Sequence, residues 1–404
     1  MTHIRTDFCV VGGGPAGLTL ALLLARSGVQ VTVAERSRSF DREYRGEILQ
    51  PGGQVLLSEL GVLERARAHG AHEHDRFLLE ERGRILINGD YRRLPGPFNC
   101  LLSIPQRHLL IELLAQCRAQ EGFRYLPGVK VTGLVEEQGR VQGVVCADGT
   151  VVLAHCVIGA DGRHSKVRQL ARIPVDRADD FRQDVLWFKL SAEGELPRAV
   201  RVFRASGNPV LAYTSASGRV QFGWTLPHKG YQALAQRGLE YIKAQLQAAA
   251  PGYADQIGQE VASFRDLSLL DVFSASARQW VRDGLMLIGD SAHTHGPIGA
   301  QGINLAIQDA VAAHPILLDS LRRADARAEV LRRFVAERRR DINRMTKIQV
   351  MQGKVMLSAG PVASVIRPKV AMMVSRTPLY QAVLRQIAFG NTAIRIRSEL
   401  FVQR

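Results

Sequence analysis

Gly12, Gly14 and Gly17 stand at G-x-G-x-x-G spacing between the apolar run Asp7-Phe8-Cys9-Val10-Val11 and a second apolar run that opens at Pro15-Ala16. Glycine permits a tight turn there and lets backbone approach a pyrophosphate closely. A helix starting at Pro15 would offer free N–H groups and a partial positive charge to phosphates. Glu35 ends a second expected strand, Val29 to Ala34, about 20 residues on, where a ribose-binding acid belongs. Its carboxylate would accept hydrogen bonds from ribose hydroxyls. Together these residues predict a strand–helix–strand unit of the dinucleotide-binding kind. By themselves they suit FAD and NAD(P) equally.

Two later stretches carry further chemistry. The first runs Cys156-Val157-Ile158-Gly159-Ala160-Asp161-Gly162-Arg163-His164-Ser165. It reads as a buried strand followed by a turn, and α/β folds bind ligands at strand ends. The plain alternative is turn chemistry at Asp161-Gly162 with Ser165 capping a helix. The second runs from Gly289-Asp290-Ser291-Ala292-His293 to Pro297-Ile298-Gly299-Ala300-Gln301-Gly302-Ile303-Asn304. A strand ends, a turn follows and a helix begins near Gly302. Small residues at 299, 300 and 302 let a flat ring approach the backbone. The helix start then points positive charge at whatever lies there. The plain alternative is a glycine-rich turn with Asp290 as an N-cap.

With all three motifs in this order, roughly residues 7–310 resemble the class A flavoprotein aromatic hydroxylases, the family of para-hydroxybenzoate hydroxylase and the ubiquinone-ring hydroxylases. The resemblance decides for FAD. It implies that Gly12, Gly14 and Gly17 cradle the ADP pyrophosphate, and that Glu35 binds the adenosine ribose with Arg36 beside the adenine. It implies that Arg45 and Arg107 contact FAD, and that Asp161 supports FAD and the nicotinamide donor indirectly. Asp290 would bind the ribityl and pyrophosphate region, and Pro297 would flank the isoalloxazine. The implied activity is an NADH- or NADPH- and O2-dependent monooxygenase. It would act through a flavin hydroperoxide to hydroxylate or epoxidise an apolar aromatic, quinoid or polycyclic molecule. No catalytic base stands out in the sequence.

The remaining chain must position these parts. Leu109 to Gln120 is expected to be helical, and residues 123–157 to form strands with hairpins at Gly139 and Asp148-Gly149. Asp184–Ser191, Val200–Ala205, Val210–Ser215 and Val220–Leu226 form a strand-rich block, crossed by a helix over Tyr231–Ala250. Val220, Phe222, Trp224 and Leu226 share one face of their strand. Trp187, Tyr213, Phe222, Trp224 and His295 are the substrate-side candidates, because the resemblance places substrate against this sheet. From Ile303 the chain is expected to be mostly helical, broken at Gly360-Pro361, Pro368 and Pro378. The expected fold is α/β: a Rossmann-like FAD-binding domain (1–72, 98–176 and 268–330), an interleaved mixed-sheet substrate domain (73–97 and 177–267) and C-terminal helices (331–404).

Composition excludes other classes. The chain has 404 residues and 46% hydrophobic content, ordinary for a soluble enzyme of two or three domains. Net charge is +15 and the isoelectric point about 10.1. Only 6% of residues are aromatic, and no nucleic-acid module is visible. The surplus, concentrated in Arg332-Arg333 and Arg338-Arg339-Arg340, reads as a solvated helix face. Peripheral contact of the basic C-terminal helices with an anionic membrane is the other expectation for it. The five cysteines lack zinc or C-x-x-C spacing, which points to a reducing, cytoplasmic setting. His293 and His295 lack a third ligand at metal spacing, so no metal is expected. The rival readings are a flavin halogenase, a flavin-dependent reductase of isoprenoid double bonds, and a non-catalytic, membrane-associated FAD-binding protein. The halogenase pattern W-x-W-x-I-P is missing from the sequence.

Overall fold

The computed structural model describes residues 2–41, 47–178, 183–192, 197–205, 207–216, 218–357, 361–375 and 377–403. Five parallel strands form the spine of the first sheet: Leu285–Leu287, Val151–Gly159, His3–Val11, Val31–Glu35 and Phe123–Pro127, in that spatial order. Leu285–Leu287, Val31–Ala34 and the C-terminal halves of Val151–Gly159 and His3–Val11 are buried, as in strands covered on both faces, whereas Phe123–Pro127 at the edge is partly exposed. Their ends are in register. Val11 pairs with both Gly159 and Ala34, and Gly159 pairs with Leu287. The three motifs therefore leave the sheet at one edge.

The helix Pro15–Arg26 is buried from Ala16 to Ala25. It packs between the helices Gln106–Arg118 and Gly302–Arg322. Its five leucines from Leu18 to Leu24 are fully buried, each contributing roughly 1.5–3 kcal/mol relative to exposure. The expected hairpins at Gly139 and Asp148-Gly149 join the antiparallel strands Val131–Glu137, Arg140–Cys146 and Val151–Gly159.

A second sheet has seven strands, ordered Ser268–Leu270, Gln183–Ser191, Arg219–Pro227, Val210–Thr214, Ala199–Arg204, Arg76–Glu81 and Arg84–Asp90. Its outer face carries Leu186, Phe188, Val220, Phe222, Trp224 and Leu226 against Ile242, Leu246 and Ile257 of the covering helices. The opposite face turns toward the loop 296–301, with Trp187 and Tyr213 packed near Ile298 and Ala300.

Local departures from the sequence reading have plain causes. The helix expected over Tyr231–Ala250 is two helices, Tyr231–Gln236 and Leu239–Ala249. Gly238, at φ 89°, breaks it by taking a conformation that side-chain-bearing residues resist. Pro368 does not end a helix but lies inside Pro361–Ser375. That helix rests on the strand Arg84–Asp90, with Ala371 packed among Leu79, Leu86 and Val202. The last long helix, Pro378–Phe389, sits on Pro51–Glu59. No described helix is long and apolar enough to cross a membrane.

The basic run 338–340 is not wholly a solvated face. In the helix Ala328–Leu357, Arg332, Arg333, Arg339 and Arg340 are exposed, but Arg338 is fully buried. Its Nε donates to Asp309 Oδ1 at 2.7 Å and its Nη1 to Asp341 Oδ2 at 3.1 Å. Removing one partner of such a pair strands the other charge in low dielectric, which costs about 3–5 kcal/mol. Arg338→Ala is therefore expected to lower stability by about that amount in urea unfolding, and Arg333→Ala, on the exposed face, by about 0.5 kcal/mol or less. Equal effects of the two would contradict this placement.

Candidate active site

The first glycine loop is packed too closely to admit side chains. A Cβ on Gly17 would stand 1.9 Å from the Gly12 carbonyl oxygen, and one on Gly12 would stand 2.4 Å from the Ala160 carbonyl oxygen. Gly14 differs, with nothing within 4 Å of an added Cβ. It caps a helix whose side chains give no capping hydrogen bond, so the first N–H groups stay free for a ligand. Glu35 faces this loop. Its Oε2 accepts from Gly13 N at 2.6 Å and its Oε1 from Ser37 N at 2.8 Å. The carboxylate is thus fixed at the sheet edge, with Arg36 exposed beside it.

A cavity of about 380 Å³ opens next to Glu35, lined by Arg38, Phe40, Arg107, Arg118, Tyr125 and Pro127 among others. Pro127 is the in-register neighbour of Glu35. Three guanidinium groups around one apolar cleft suit a ligand that is flat at one end and doubly anionic at the other. Arg107 is exposed at its rim. Arg45 lies outside the described residues.

The second and third motifs are tied to each other. Asp161 Oδ2 accepts from Lys166 N and Val167 N, and its Oδ1 accepts from the Ser165 hydroxyl at 2.5 Å and the Ser291 hydroxyl at 3.2 Å. Ser165 in turn caps the short helix Lys166–Leu170. Ser291 Oγ accepts from Gly162 N at 3.0 Å, and the buried Arg168 donates to the Ser291 carbonyl at 2.7 Å. Asp161 is thus a brace between the two motifs. The third motif also touches the first: a Cβ on Gly289 would lie 3.3 Å from Ala16 Cβ. Asp290 sits in a tight turn after the strand, which ends at Leu287. Its Oδ2 is 3.8 Å from Arg163 Nε. Desolvation raises its pKa against the opposing pull of Arg163 and His293.

The loop 296–301 is held by side-chain amides. Gln349 Nε2 donates to the carbonyls of Gly296 and Ile298, at 3.1 and 2.6 Å. Gln50 and Gln301 both donate to the Gly299 carbonyl, at 2.8 and 2.9 Å. Asn304 donates to the Ala300 carbonyl and accepts from Gln50 N. Ala300 has φ 50°, an unfavourable state for a residue with a Cβ that persists only where its surroundings enforce it. The loop's carbonyls are thereby occupied. The helix it opens into, Gly302–Arg322, starts at an exposed Gly302 with nothing within 4 Å of an added Cβ, and Ile303 behind it is buried. Its first N–H groups face no helical partner. Open cradles at Gly14, Gly162 and Gly302, a carboxylate fixed beside the first glycine loop and a backbone wall bordered by Pro297 fit an extended flavin dinucleotide.

The five substrate-side candidates separate in the structure. Trp187 and Tyr213 lie on the face that meets Ile298 and Ala300, in a cluster with Tyr91, Leu101 and Leu211. Gly223 makes room there: a Cβ would lie 2.9 Å from the Trp187 ring. The indole Nε1 of Trp187 is buried without a partner. Phe222 and Trp224 face the other way, into the packed core under the helices, because strand alternation puts them opposite Gly223. His295 is buried against His293 and Gln349 instead of facing that cluster. Glu47, Gln50, Tyr91, Gly223, Asp309 and Gln349 carry no motif that marks them in the sequence. Glu47 is buried at the polar edge of the same face, bonded to Lys189 Nζ at 3.1 Å and to the Ser215 hydroxyl at 2.7 Å.

A model of the FAD binding domain family matches residues 5–349, and the chain belongs to that family. It is an FAD-dependent monooxygenase. Over 400 residues, 98% of this chain and 95% of the relative, it is 66% identical to a Streptomyces rimosus protein named 6-methylpretetramide 4-monooxygenase. It is 26% identical over 351 residues, 84% of this chain and 87% of the relative, to 3-demethoxyubiquinol 3-hydroxylase of Escherichia coli strain K12. The fold is shared with p-nitrophenol 4-monooxygenase from Pseudomonas putida DLL-E4, at TM-score 0.79, 18% identity and coverage of 97% of this chain and 100% of that one.

Two outcomes follow from this geometry. Gly17→Ala should purify with less than about a tenth of the parent's flavin absorbance per protein, since a bound diphosphate needs this loop undisplaced; full flavin content would contradict the packing. Burial pushes His74 and His295 down to about 3 and His314 down to about 4. Their ordinary value is near 6.5, so the unfolded chain takes up protons there first. Stability is then full above about pH 6.5 and falls as pH drops toward 4. The urea midpoint should be lower at pH 5 than at pH 7.5, and equal midpoints would count against buried neutral histidines.

Proposed function

We propose that this chain hydroxylates a polycyclic aromatic compound resembling 6-methylpretetramide, using FAD, O2 and NADH or NADPH. The observation that carries the reading is the 66% identity, over nearly the full length of both chains, to a protein named for that substrate. The sheet face opposite the loop 296–301 supports it. Trp187, Tyr213, Tyr91 and Leu211 give a broad apolar wall, suited to stacking and edge contacts with fused rings. The free indole N–H of Trp187 supplies a donor for a ring oxygen, since a buried donor gains most from a partner.

In this proposal the glycine loop and the helix start at Pro15 hold the pyrophosphate, Glu35 the ribose and Arg36 the adenine side. Arg107 and Arg45 contribute positive charge, and Asp290, Pro297, Gly299, Ala300, Gly302, Ile303 and Asn304 border the flavin. Bound there, FAD would supply the redox chemistry, a hydride acceptor for the nicotinamide donor and the means to transfer one oxygen atom of O2 to the substrate. The protein orients the ring, excludes water and holds the flavin-side loop fixed. The division into a flavin-binding part (1–72, 98–176 and 268–330), a substrate part (73–97 and 177–267) and a helical end (331–404) belongs to the same reading.

The test is steady-state NADPH and NADH oxidation by the FAD-loaded enzyme, with and without a tetracyclic phenol. The phenol should stimulate oxidation at least about tenfold, and Gly223→Val, which pushes into Trp187, should raise KM about tenfold or more with a smaller change in kcat. No stimulation by any fused-ring phenol, alongside normal FAD content, would overturn the substrate class.

A further inference from the structure

Behind the loop 296–301 lies a buried polar chain. Asp309, fully buried on the helix Gly302–Arg322, accepts from Gly289 N, from Arg338 Nε and from His293 Nε2, the last at 2.6 Å. His293 Nδ1 lies 3.1 Å from His295 Nε2. His295 Nδ1 lies 3.2 Å from Gln349 Oε1, and Gln349 Nε2 reaches the Gly296 and Ile298 carbonyls.

Donor and acceptor inventory fixes the protons along this chain. Gln349 Nε2 meets two carbonyl oxygens, so it is the amide nitrogen, and Oε1 must accept. His295 Nδ1 therefore carries a proton. At the far end, Asp309 is an acceptor: its Oδ2 takes the Gly289 N–H and its Oδ1 the Arg338 Nε–H, as an ionised carboxylate does. His293 Nε2 must therefore donate to it. The remaining contact, between His293 Nδ1 and His295 Nε2, needs one more proton. The two rings together thus carry three ring protons and one positive charge. His293 is the ring in contact with Asp309, whereas no carboxylate among the described residues lies against His295.

We propose that the buried His293–His295 pair carries three ring protons, the extra one on His293, and that it acts through Gln349 as a positioning device for the loop bordering the flavin. The charged and titratable groups around it are Asp309 from one helix, Arg338 and Asp341 from another, and Asp290 from the preceding turn. Asp309 and Asp341 balance Arg338 and His293, which allows two cations to stay buried. Trp280 covers His293 with its ring centroid at 5.0 Å. The cation favours an electron-rich reduced ring nearby. Its effect on the flavin rests on the flavin placement given above; its protonation does not.

Nitrogen-detected NMR of histidine-labelled protein tests the first part, on apoprotein and FAD-loaded enzyme. One histidine ring should be protonated on both nitrogens at pH 8, and its signal should vanish in His293→Gln. A parent protein with only neutral rings above pH 7.5, or a doubly protonated ring that survives His293→Gln, overturns the assignment. Two variants test the second part. His293→Gln should move the flavin midpoint potential to more negative values. Gln349→Ala should retain the doubly protonated ring but weaken FAD binding about tenfold, the scale of one or two lost hydrogen bonds. Parent-like potential and parent-like FAD affinity in both would overturn the positioning role. If either variant fails to fold, the parent spectrum still decides the proton. No readout uses an aromatic substrate, so failure here is separate from failure of the proposed hydroxylation.

Discussion

The site depends on one constraint, the in-register ending of four parallel strands. Ala34, Val11, Gly159 and Leu287 form one row across the first sheet. Each is followed within a few residues by a motif, so segments nearly 280 residues apart in the chain meet at one edge. A strand slipped by one residue would turn its whole side-chain pattern over. Burial on both faces makes that prohibitively costly. The motifs then lock by contact: Gly12 against Ala160, Gly289 against Ala16, and Ser291 against Asp161. The cofactor cleft is a property of the sheet before it is a property of any ligand-facing side chain.

A second layer of order comes from buried polar groups. Asp309 cannot stand unpaired in a helix that is buried almost all round. Its three donors come from a strand end, a turn and a C-terminal helix. The amides of Gln50, Gln301, Asn304 and Gln349 occupy the carbonyls of the loop 296–301 from three directions. This loop keeps Ala300 in a left-handed conformation, which only such surroundings sustain. The arrangement makes a stiff wall of small residues, which suits chemistry in which the protein places a substrate ring and supplies no nucleophile.

Much of this is legible in the sequence, and what is not has identifiable causes. The glycine spacing, Glu35, Asp161-Gly162 and Gly289-Asp290 are local patterns, and local patterns survive without coordinates. Strand alternation on 219–227 is legible too, but which face meets the flavin side is not. That choice is made by the helices Leu239–Ala249 and Ala254–Glu260, which cover Phe222 and Trp224. Gly223, between those two aromatics, is the available signal, because a glycine in a strand marks a close approach. Arg338 reads with its neighbours as solvated. Yet Leu331, Phe334, Arg338, Ile342, Met345 and Gln349 fall on one helical face, and that spacing puts both Arg338 and Gln349 inward. A lone Asp309 in an apolar helix is the matching half of the signal.

Oxygen insertion into a fused aromatic ring by the FAD held in this fold is tested most directly by mass spectrometry. The product to be weighed is the one formed from a tetracyclic phenol, the FAD-loaded enzyme and NAD(P)H under 18O2. A product heavier by one 18O atom, with none incorporated from labelled water, is predicted. A product that is reduced or halogenated instead, or whose added oxygen comes from water, would contradict it.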